Sequence, residues 1–292
     1  MARPVAAARS KAPVAPGLFG IRRRTKTRLV IALVFAAISV MPLLYMVSLS
    51  FQPTGNIAIN EAGLIPTHPV VGNYISAWTE NSFGHYFFNS LVVSLAAVAL
   101  TVAFSSLAAF AFARYKFPFK EVIFYLFLAS LAVPSLELII PQFLLMDRLH
   151  LLDSLTGLVL IYSTSNLPFS IFLLRGFFEG VPRECEESFR LDGAGTLRVL
   201  TRLIMPLSLP AVSAVAMFTF NFAWDEYPIA LTLINSPSHR TLPIGLALFI
   251  GAHTTAWGPF MAGSVIATVP LVIVYFASQR WFRSGISIGG MR

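Results

Sequence analysis

The sequence predicts an all-α membrane protein with six membrane-spanning helices. Three observations lead to this prediction: the composition, the number of long apolar stretches, and the side on which the basic residues fall. Of the 292 residues, 56% are hydrophobic and 12% are charged, whereas a soluble domain has about 25% charged residues. So few charges cannot cover a water-soluble surface. The composition therefore excludes a soluble enzyme, a disordered chain and a disulfide-built secreted domain.

Six stretches are long and apolar enough to cross a bilayer, which takes about 20 residues in a helix. They cover residues 29–50, 87–113, 122–145, 155–174, 207–223 and 260–282. The first is longer than the apolar core of a signal peptide, about 7–15 residues, so we expect it to be retained as an anchor. Pro134, Pro168 and Pro270 lie inside three of the spans, where each removes a backbone donor and permits a kink.

The basic residues fall almost entirely on one side of these spans. Nineteen of the 21 lysines and arginines lie in the first 28 residues, in the loops near residues 117 and 190, or at the C-terminal end. The positive-inside rule then places both termini and these two loops in the cytoplasm. Because membrane topology accounts for the net charge of +8, we expect a cell-membrane protein surrounded by lipid, with no nucleic-acid partner.

The chain divides into a tail and a membrane domain. Residues 1–28 are basic and rich in proline and alanine, and are predicted to form a cytoplasmic tail. Residues 29–292 are predicted to form the transmembrane domain. Within it, residues 52–86 form an extracytoplasmic loop, and the second span carries Ser105, Ala109 and Ala113 at four-residue spacing. That stripe of small residues favours close approach of another helix.

The longest cytoplasmic loop, residues 176–206, predicts two short helices with a tight corner. Pro182 suits a helix start, and Asp192-Gly193 suits a helix end, because glycine takes the left-handed conformation at low cost. The second helix has one apolar stripe: Leu197, Leu200, Leu203 and Ile204. Such a helix pair could dock in a cleft of a cytoplasmic partner. The alternative interpretation is an ordinary solvated amphipathic loop.

This loop resembles the EAA loop of binding-protein-dependent ABC importer permeases. That signature reads E-A-A, three residues, G, nine residues and I-x-L-P, and the spacing here is the same throughout. The matching runs are Glu187-Ser188-Phe189, Asp192-Gly193-Ala194 and Leu203-Ile204-Met205-Pro206. Glu187, Gly193 and Pro206 are identical to the signature, whereas Ser188 and Phe189 replace its two alanines.

Four further runs resemble the maltose-type, carbohydrate-importing branch of that family: Asn89-Ser90, Phe112-Ala113-Arg114, Leu174-Arg175-Gly176-Phe177-Phe178 and Trp224-Asp225-Glu226. The resemblance implies a type I ABC importer transmembrane domain and a permease subunit for a sugar or related polyol. It implies three kinds of partner chain: a second permease subunit, two copies of a cytoplasmic ATP-binding subunit, and an extracytoplasmic solute-binding protein. The implied ATPase-coupling residues are Glu187, Ser188, Phe189, Asp192, Gly193, Ala194 and Pro206.

The rest of the sequence agrees with energy being supplied by another subunit. No G-x-x-x-x-G-K-[ST] motif occurs, so we do not expect this chain to bind ATP through a phosphate-cradling loop. The five histidines show no metal-binding spacing, and the single Cys185 excludes an internal disulfide. We therefore expect no catalytic residue, cofactor or metal in this chain.

Polar residues inside spans are the candidates for a substrate pathway, because ionisable and amide groups are costly in lipid. Glu137 in the third span could line a pathway, contact another subunit, or lie near the outer interface if the span bends. Asn166 in the fourth span and Asn221 in the fifth could bind sugar hydroxyls or neighbouring helices. Asp225 and Glu226, on the outer side, could contact a binding protein or gate the pathway.

Two other classes of function remain as alternatives. An intramembrane serine protease needs a serine–histidine pair at membrane depth, and no histidine falls well inside a predicted span. A stand-alone ion-coupled carrier needs ionisable groups near the midplane, where Glu137 is the one candidate.

Overall fold

The chain is a bundle of helices. The computed structural model describes residues 18–53, 65–66, 68–79, 82–251 and 255–289. Within these residues the structure contains helices, turns and an isolated bridge between Ile250 and Thr255, but no strand. In chain order the helices are α1 (Leu18–Ser50), α2 (Gly72–Thr79), α3 (Phe83–Arg114), α4 (Lys120–Ser130), α5 (Ile139–Arg148), α6 (Leu155–Glu179), α7 (Arg183–Leu191), α8 (Thr196–Leu207), α9 (Leu209–Asp225), α10 (Pro228–Leu233), α11 (Leu242–Ala247) and α12 (Trp257–Gly289).

The described residues contain four unbroken candidate spans, and the number reaches the predicted six if each of two bent helix pairs is one span. α1, α3, α6 and α12 are each long and apolar enough to cross a membrane. In the bent pairs, α4 and α5 meet at 97°, and α8 and α9 meet at 86°. The fold class, an all-α multi-pass membrane protein, is confirmed.

The predicted third span, 122–145, is not continuous. Residues 131–133 close in tight turns, with the N–H of Val133 donating to the carbonyl of Ser130 at 3.2 Å. Pro134 follows in an extended conformation with ψ of 134°, and a short 3₁₀ turn, Ser135–Leu138, leads into α5. The break occurs here because proline has no N–H for the helix ladder and disfavours helical geometry in the residue before it. Pro168 and Pro270, by contrast, lie inside unbroken helices.

Other span ends also differ from the prediction. α3 begins at Phe83, before the predicted residue 87, and α6 continues to Glu179, beyond the predicted residue 174. α1 begins at Leu18, within the predicted tail, whereas residues 1–17 of that tail lie outside the described residues. Helix continuation past the apolar run explains these differences, because hydropathy marks the lipid-facing part of a helix and not its hydrogen-bonded ends.

The centre of the bundle is the pair α3 and α6, which pack against each other more extensively than any other described helices. Ser105, Ala109 and Ala113 are all buried in α3, as the small-residue stripe predicts. Small side chains allow the two backbones to approach closely, and the hydroxyl of Thr101 donates across the pair to the carbonyl of Ser163 at 3.4 Å.

At the end of the bundle opposite α7, polar side chains join the loops. Asn89 in α3 donates its amide hydrogens to the carbonyls of Ser238 and Arg240, both at 2.9 Å. Ser90 accepts the N–H of Leu242 at 2.8 Å through its hydroxyl oxygen. Asn89 and Ser90 therefore hold the segment between α10 and α11 against the N-terminal part of α3. They are one of the runs that resemble the carbohydrate-importing branch.

Candidate functional site

The loop between α6 and α9 folds as the sequence predicts, into two short helices at a sharp corner. α7 begins at Arg183, directly after Pro182, and α8 begins at Thr196. Gly193 adopts a φ of +80°, the conformation that glycine reaches without a steric penalty. A Cβ placed on Gly193 would meet nothing within 4 Å. The requirement for glycine here is therefore conformational and not a matter of space.

The corner is a Schellman motif, a two-bond ending of an α-helix. The N–H of Gly193 donates to the carbonyl of Arg190 at 3.0 Å, and the N–H of Ala194 donates to the carbonyl of Phe189 at 3.3 Å. In such a motif the residue after glycine commonly makes an apolar contact with the residue five positions before it. Here these two residues are Ala194 and Phe189, and both pack in the same apolar cluster at the end of the bundle.

The loop consequently has an inner and an outer face. Ala194, Val199, Leu200 and Ile204 are buried, and Phe189 and Leu203 pack partly against them. The outer face carries exposed leucines that have no place in the core: Leu191 is 90% exposed and Leu197 is 65% exposed. The predicted coupling residues divide between the faces. Phe189 and Ala194 point into the bundle. The other five are exposed: Glu187, Ser188, Asp192, Gly193 and Pro206.

A buried ion pair fastens this loop to the rest of the chain. The guanidinium of Arg114, the last residue of α3, lies 2.9 Å from the carboxylate of Glu186 on α7. The two side chains are only 6% and 11% exposed. Arg114 also donates to the carbonyl of Val181 at 2.8 Å. Arg190 donates two hydrogen bonds to the Glu186 carboxylate, with a shortest distance of 2.9 Å. These two bonds raise the pKa of Arg190 above its ordinary value.

Sequence reasoning missed the importance of Glu186. By position alone, Glu186 is one of the carboxylates in the first turns of α7, where a negative charge complements the helix dipole. The available signal was helical spacing: Glu186 precedes Phe189 by three residues and so lies on the same inward face of α7. Its partner, Arg114, is distant in sequence and could not be assigned from local pattern.

The second feature is a cleft of about 740 Å³ between the break of the third span and the helices α6 and α9. Its polar lining consists of hydroxyls and carboxamides: Ser130, Ser135, Gln142, Thr164, Ser165, Asn166 and Asn221. Its aromatic lining is Phe169, Phe218 and Phe222, and the first two rings pack edge to face with centroids 5.5 Å apart. None of the described residues that line the cleft is charged.

Two of the three predicted pathway residues meet in this cleft. Asn221 is exposed on its wall, and Asn166 is half-buried, with its amide donating to the carbonyl of Tyr162 at 2.8 Å. The carboxamide oxygen of Gln142 is buried and has no hydrogen-bond partner among the described residues. Glu137 is exposed in the 3₁₀ turn at the span break and does not line the cleft.

The described residues show no group of three histidine, cysteine, aspartate or glutamate side chains that could hold a metal ion. Cys185 is an exposed free thiol on α7. The two features of the described residues are therefore a short helix pair with outward-facing leucines at one end of the bundle, and an uncharged polar and aromatic cleft beside its central helices.

Known proteins are similar to this chain in sequence and in fold. The family model described as a binding-protein-dependent transport system inner membrane component matches residues 101–288. A sulfoquinovosyl glycerol transport system permease protein (SmoH) of Agrobacterium fabrum is 30% identical over 283 residues, covering 97% of this chain and 99% of that protein. A diacetylchitobiose uptake system permease protein (NgcG) of Streptomyces coelicolor is 31% identical over 262 residues, covering 89% and 86% of the two chains.

A solved structure has the same fold at lower sequence identity. It is a crystal structure of a bacterial ABC transporter involved in the import of the acidic polysaccharide alginate, and one of its chains superposes with a TM-score of 0.78 at 22% identity, covering 93% of this chain and all of that one. The chain thus belongs to the family of binding-protein-dependent transport system inner membrane components: it is a multi-pass permease subunit of an ABC importer, neither a stand-alone carrier nor an enzyme, and works with a separate ATPase subunit.

Proposed function

We propose that this subunit translocates a carbohydrate and that its loop 176–206 transmits the energy of ATP hydrolysis from the ATPase. The observation that carries the coupling half of the proposal is the two-faced loop. Its inner face is anchored by apolar packing and an ion pair, while its outer face presents leucines that are 90% and 65% exposed. Exposed large apolar side chains on a small polar helix pair indicate a protein partner.

Within this proposal the predicted coupling residues have two different roles. Glu187, Ser188, Asp192 and Gly193 lie on the outer face near the corner and contact the ATPase. Pro206, also exposed, lies in the last turn of the second helix. Phe189 and Ala194 instead hold the corner against the bundle. Glu187 and Asp192 would accept hydrogen bonds from basic side chains or backbone N–H groups of the ATPase.

The carbohydrate half of the proposal is supported by the chemistry of the cleft. Sugars present many hydroxyls and apolar ring faces, and a site lined with amides, hydroxyls and aromatic rings matches both. Asn166 and Asn221 would contact hydroxyls, and Phe169 or Phe218 would contact a ring face. The two curated relatives named above are permeases for sulfoquinovosyl glycerol and diacetylchitobiose. Because the described lining of the cleft is uncharged, we expect the solute to be neutral.

The proposed assembly contains a second permease subunit, two copies of the ATP-binding subunit and an extracytoplasmic solute-binding protein. Both termini and the α7–α8 loop face the cytoplasm, since 19 of the 21 basic residues then fall on that side. Residues 1–28 form the basic tail and residues 29–292 the permease domain. Lipid covers the outward apolar faces of the spans.

The proposal is tested at the corner of the loop. Gly193→Val places a branched side chain at a φ of +80°, which L-residues avoid at a cost of about 1–2 kcal/mol. We expect the complex to reach the membrane, to bind less ATPase and to lose solute uptake. Gly195→Val is the matched control, because Gly195 has a φ of −71° and also has open space around a Cβ.

The readouts are ATPase subunit co-purified, ATP hydrolysis stimulated by the solute-binding protein, and solute uptake into proteoliposomes. Glu187→Ala should weaken coupling to a smaller extent, and Ser188→Ala should leave it unchanged. Normal uptake by a well-expressed Gly193→Val complex would identify the loop as solvated surface and overturn the proposal.

A further inference from the structure

We propose that the ion pair between Arg114 and Glu186 is the link that carries movement of the coupling loop into the membrane bundle. This inference rests on the proposed function of the loop as the ATPase contact. Arg114 and Glu186 are positioning residues in this scheme: neither faces the outer surface of the loop, and neither lines the cleft.

The pair is placed where a rigid link is required. Arg114 is the last residue of α3, and it contacts two separate points of the loop, the carboxylate of Glu186 at 2.9 Å and the carbonyl of Val181 at 2.8 Å. Val181 lies in the turn between α6 and α7, whereas Glu186 lies within α7. A guanidinium with several donors in a fixed plane can hold both points at once. α7 therefore cannot shift relative to α3 without separating the buried ion pair.

Arg190 completes the cluster. It contacts the same carboxylate at 2.9 Å, but its side chain is 40% exposed, whereas Arg114 is 6% exposed. Ion pairs shielded from water are screened far less than exposed pairs. Of the two cations on Glu186, the buried one on α3 thus provides the stronger connection.

The route beyond Arg114 is a packed helix pair. α3 packs along α6 more extensively than any other pair of described helices, and α6 carries Asn166 on the wall of the cleft. Packed helices move as rigid bodies, because interiors are dense and resist compression. A displacement of α7 would consequently reach the cleft through α3 and α6.

The covalent route from the loop is less direct. α8 contains a π-helical turn, Leu200–Ile204, and is separated from α9 by Ser208 at an 86° bend. Bends and π-turns are places where helices absorb movement. The non-covalent contact with α3 therefore offers the stiffer connection, even though α9 follows the loop directly in the chain.

The experiment compares neutral variants of the pair in the reconstituted transporter. Arg114→Gln and Glu186→Gln should retain bound ATPase subunit and ATP hydrolysis, while solute transported per ATP hydrolysed falls about tenfold, a typical size for coupling between sites. The double variant should be no worse than either single variant, because both changes remove the same contact. Arg114→Lys keeps the charge and should retain most of the transport per ATP.

The matched control is Arg175→Gln. Arg175 lies at the same end of the bundle, is 14% exposed, and pairs with Glu121 at 2.9 Å and Glu179 at 2.8 Å, on α4 and α6. Its loss removes ion pairs to carboxylates that are 53% and 46% exposed, without touching α7 or α8. Transport per ATP should therefore stay near the wild-type value.

Three outcomes would overturn the inference: unchanged transport per ATP in Arg114→Gln and Glu186→Gln, an equal loss in Arg175→Gln, or losses that multiply in the double variant. If the Arg114→Gln variant does not reach the membrane, the Glu186→Gln variant alone tests the inference. Glu186→Gln leaves the hydrogen bond from Arg114 to Val181 available. Gly193→Val separates the two proposals. If it uncouples transport while the Arg114 and Glu186 variants do not, only the link through α3 is wrong.

Discussion

The hydroxyl of Tyr162, inside α6, donates a hydrogen bond of 2.7 Å to the carboxylate of Glu226, the residue that follows α9. The same carboxylate accepts the N–H groups of Ile229 at 2.7 Å and Ala230 at 2.9 Å, the first turn of α10. Glu226 thus caps one helix and ties it to another. This use of both carboxylate oxygens makes Glu226 a structural residue at the end of the bundle opposite α7. Its position in the sequence had instead suggested contact with a binding protein or gating of the pathway.

Replacing Glu226 should destabilise that end of the bundle. Glu226→Ala leaves the buried Tyr162 hydroxyl and two backbone donors without their acceptor, a loss of about 1–3 kcal/mol. Tyr162→Phe removes one of the three bonds and should cost about 1 kcal/mol. The measurement is the thermal unfolding midpoint of the purified transporter in detergent. Glu187→Ala, an exposed carboxylate on α7, is the control and should leave the midpoint unchanged, whereas an equal effect of Glu187→Ala would refute the assignment.

The loop contact of Asp153 should be insensitive to pH until the solution is strongly acidic. Its carboxylate accepts the hydroxyl and the N–H of Ser236 and the N–H of Asn235, and these bonds, led by that from the Ser236 hydroxyl, lower the pKa of Asp153. A lowered pKa gives stability that is complete above the unfolded pKa and is lost as pH falls through the folded one.

The measurement for Asp153 is the difference in unfolding midpoint between wild type and Asp153→Asn. We expect a constant difference from about pH 5 to pH 7, where the carboxylate is ionised in both states, and a smaller one below about pH 4. A difference that instead grows as the pH falls from 7 to 5 would contradict this interpretation.

A charge placed in the cleft should impair the passage of a neutral saccharide. Asn221→Asp adds a carboxylate to a described lining that has none, and uptake of the saccharide held by the cognate binding protein should fall about tenfold, because an ionised group without a partner at membrane depth is costly. ATP hydrolysis should still respond to the binding protein. Glu137→Gln is the control, since Glu137 lies outside the cleft. Greater loss in Glu137→Gln than in Asn221→Asp would place the pathway elsewhere.

Membrane orientation is open to a direct measurement. Reporter fusions after residues 117 and 190 should be cytoplasmic, and fusions after residues 70, 150 and 240 should lie outside, because nearly all basic residues then fall inside. The fusion after residue 150 is the sharpest of these, since it follows the bent pair of α4 and α5. A cytoplasmic signal there would show that this pair is re-entrant and does not cross the membrane.

The sequence alone was sufficient for the long unbroken spans and for the corner of the loop 176–206. Both depend on local properties: spans follow from apolar length, and the turn at Gly193 follows from the conformational freedom of glycine. The φ of +80° at that residue agrees with the expectation. The family resemblance was likewise readable, because it rests on spacing within one short segment.

Only the tertiary structure decided which side chains of that segment face outward. The family pattern groups Phe189 with Glu187 and Ser188, but packing turns Phe189 into the bundle. Packing likewise brings Asn166 and Asn221 to one cleft and leaves Glu137 outside it. The ion pair of Glu186 joins it to a residue on another helix, and no local pattern encodes such a contact. Partners distant in the chain are chosen by how the helices pack, so they appear only when the bundle is assembled.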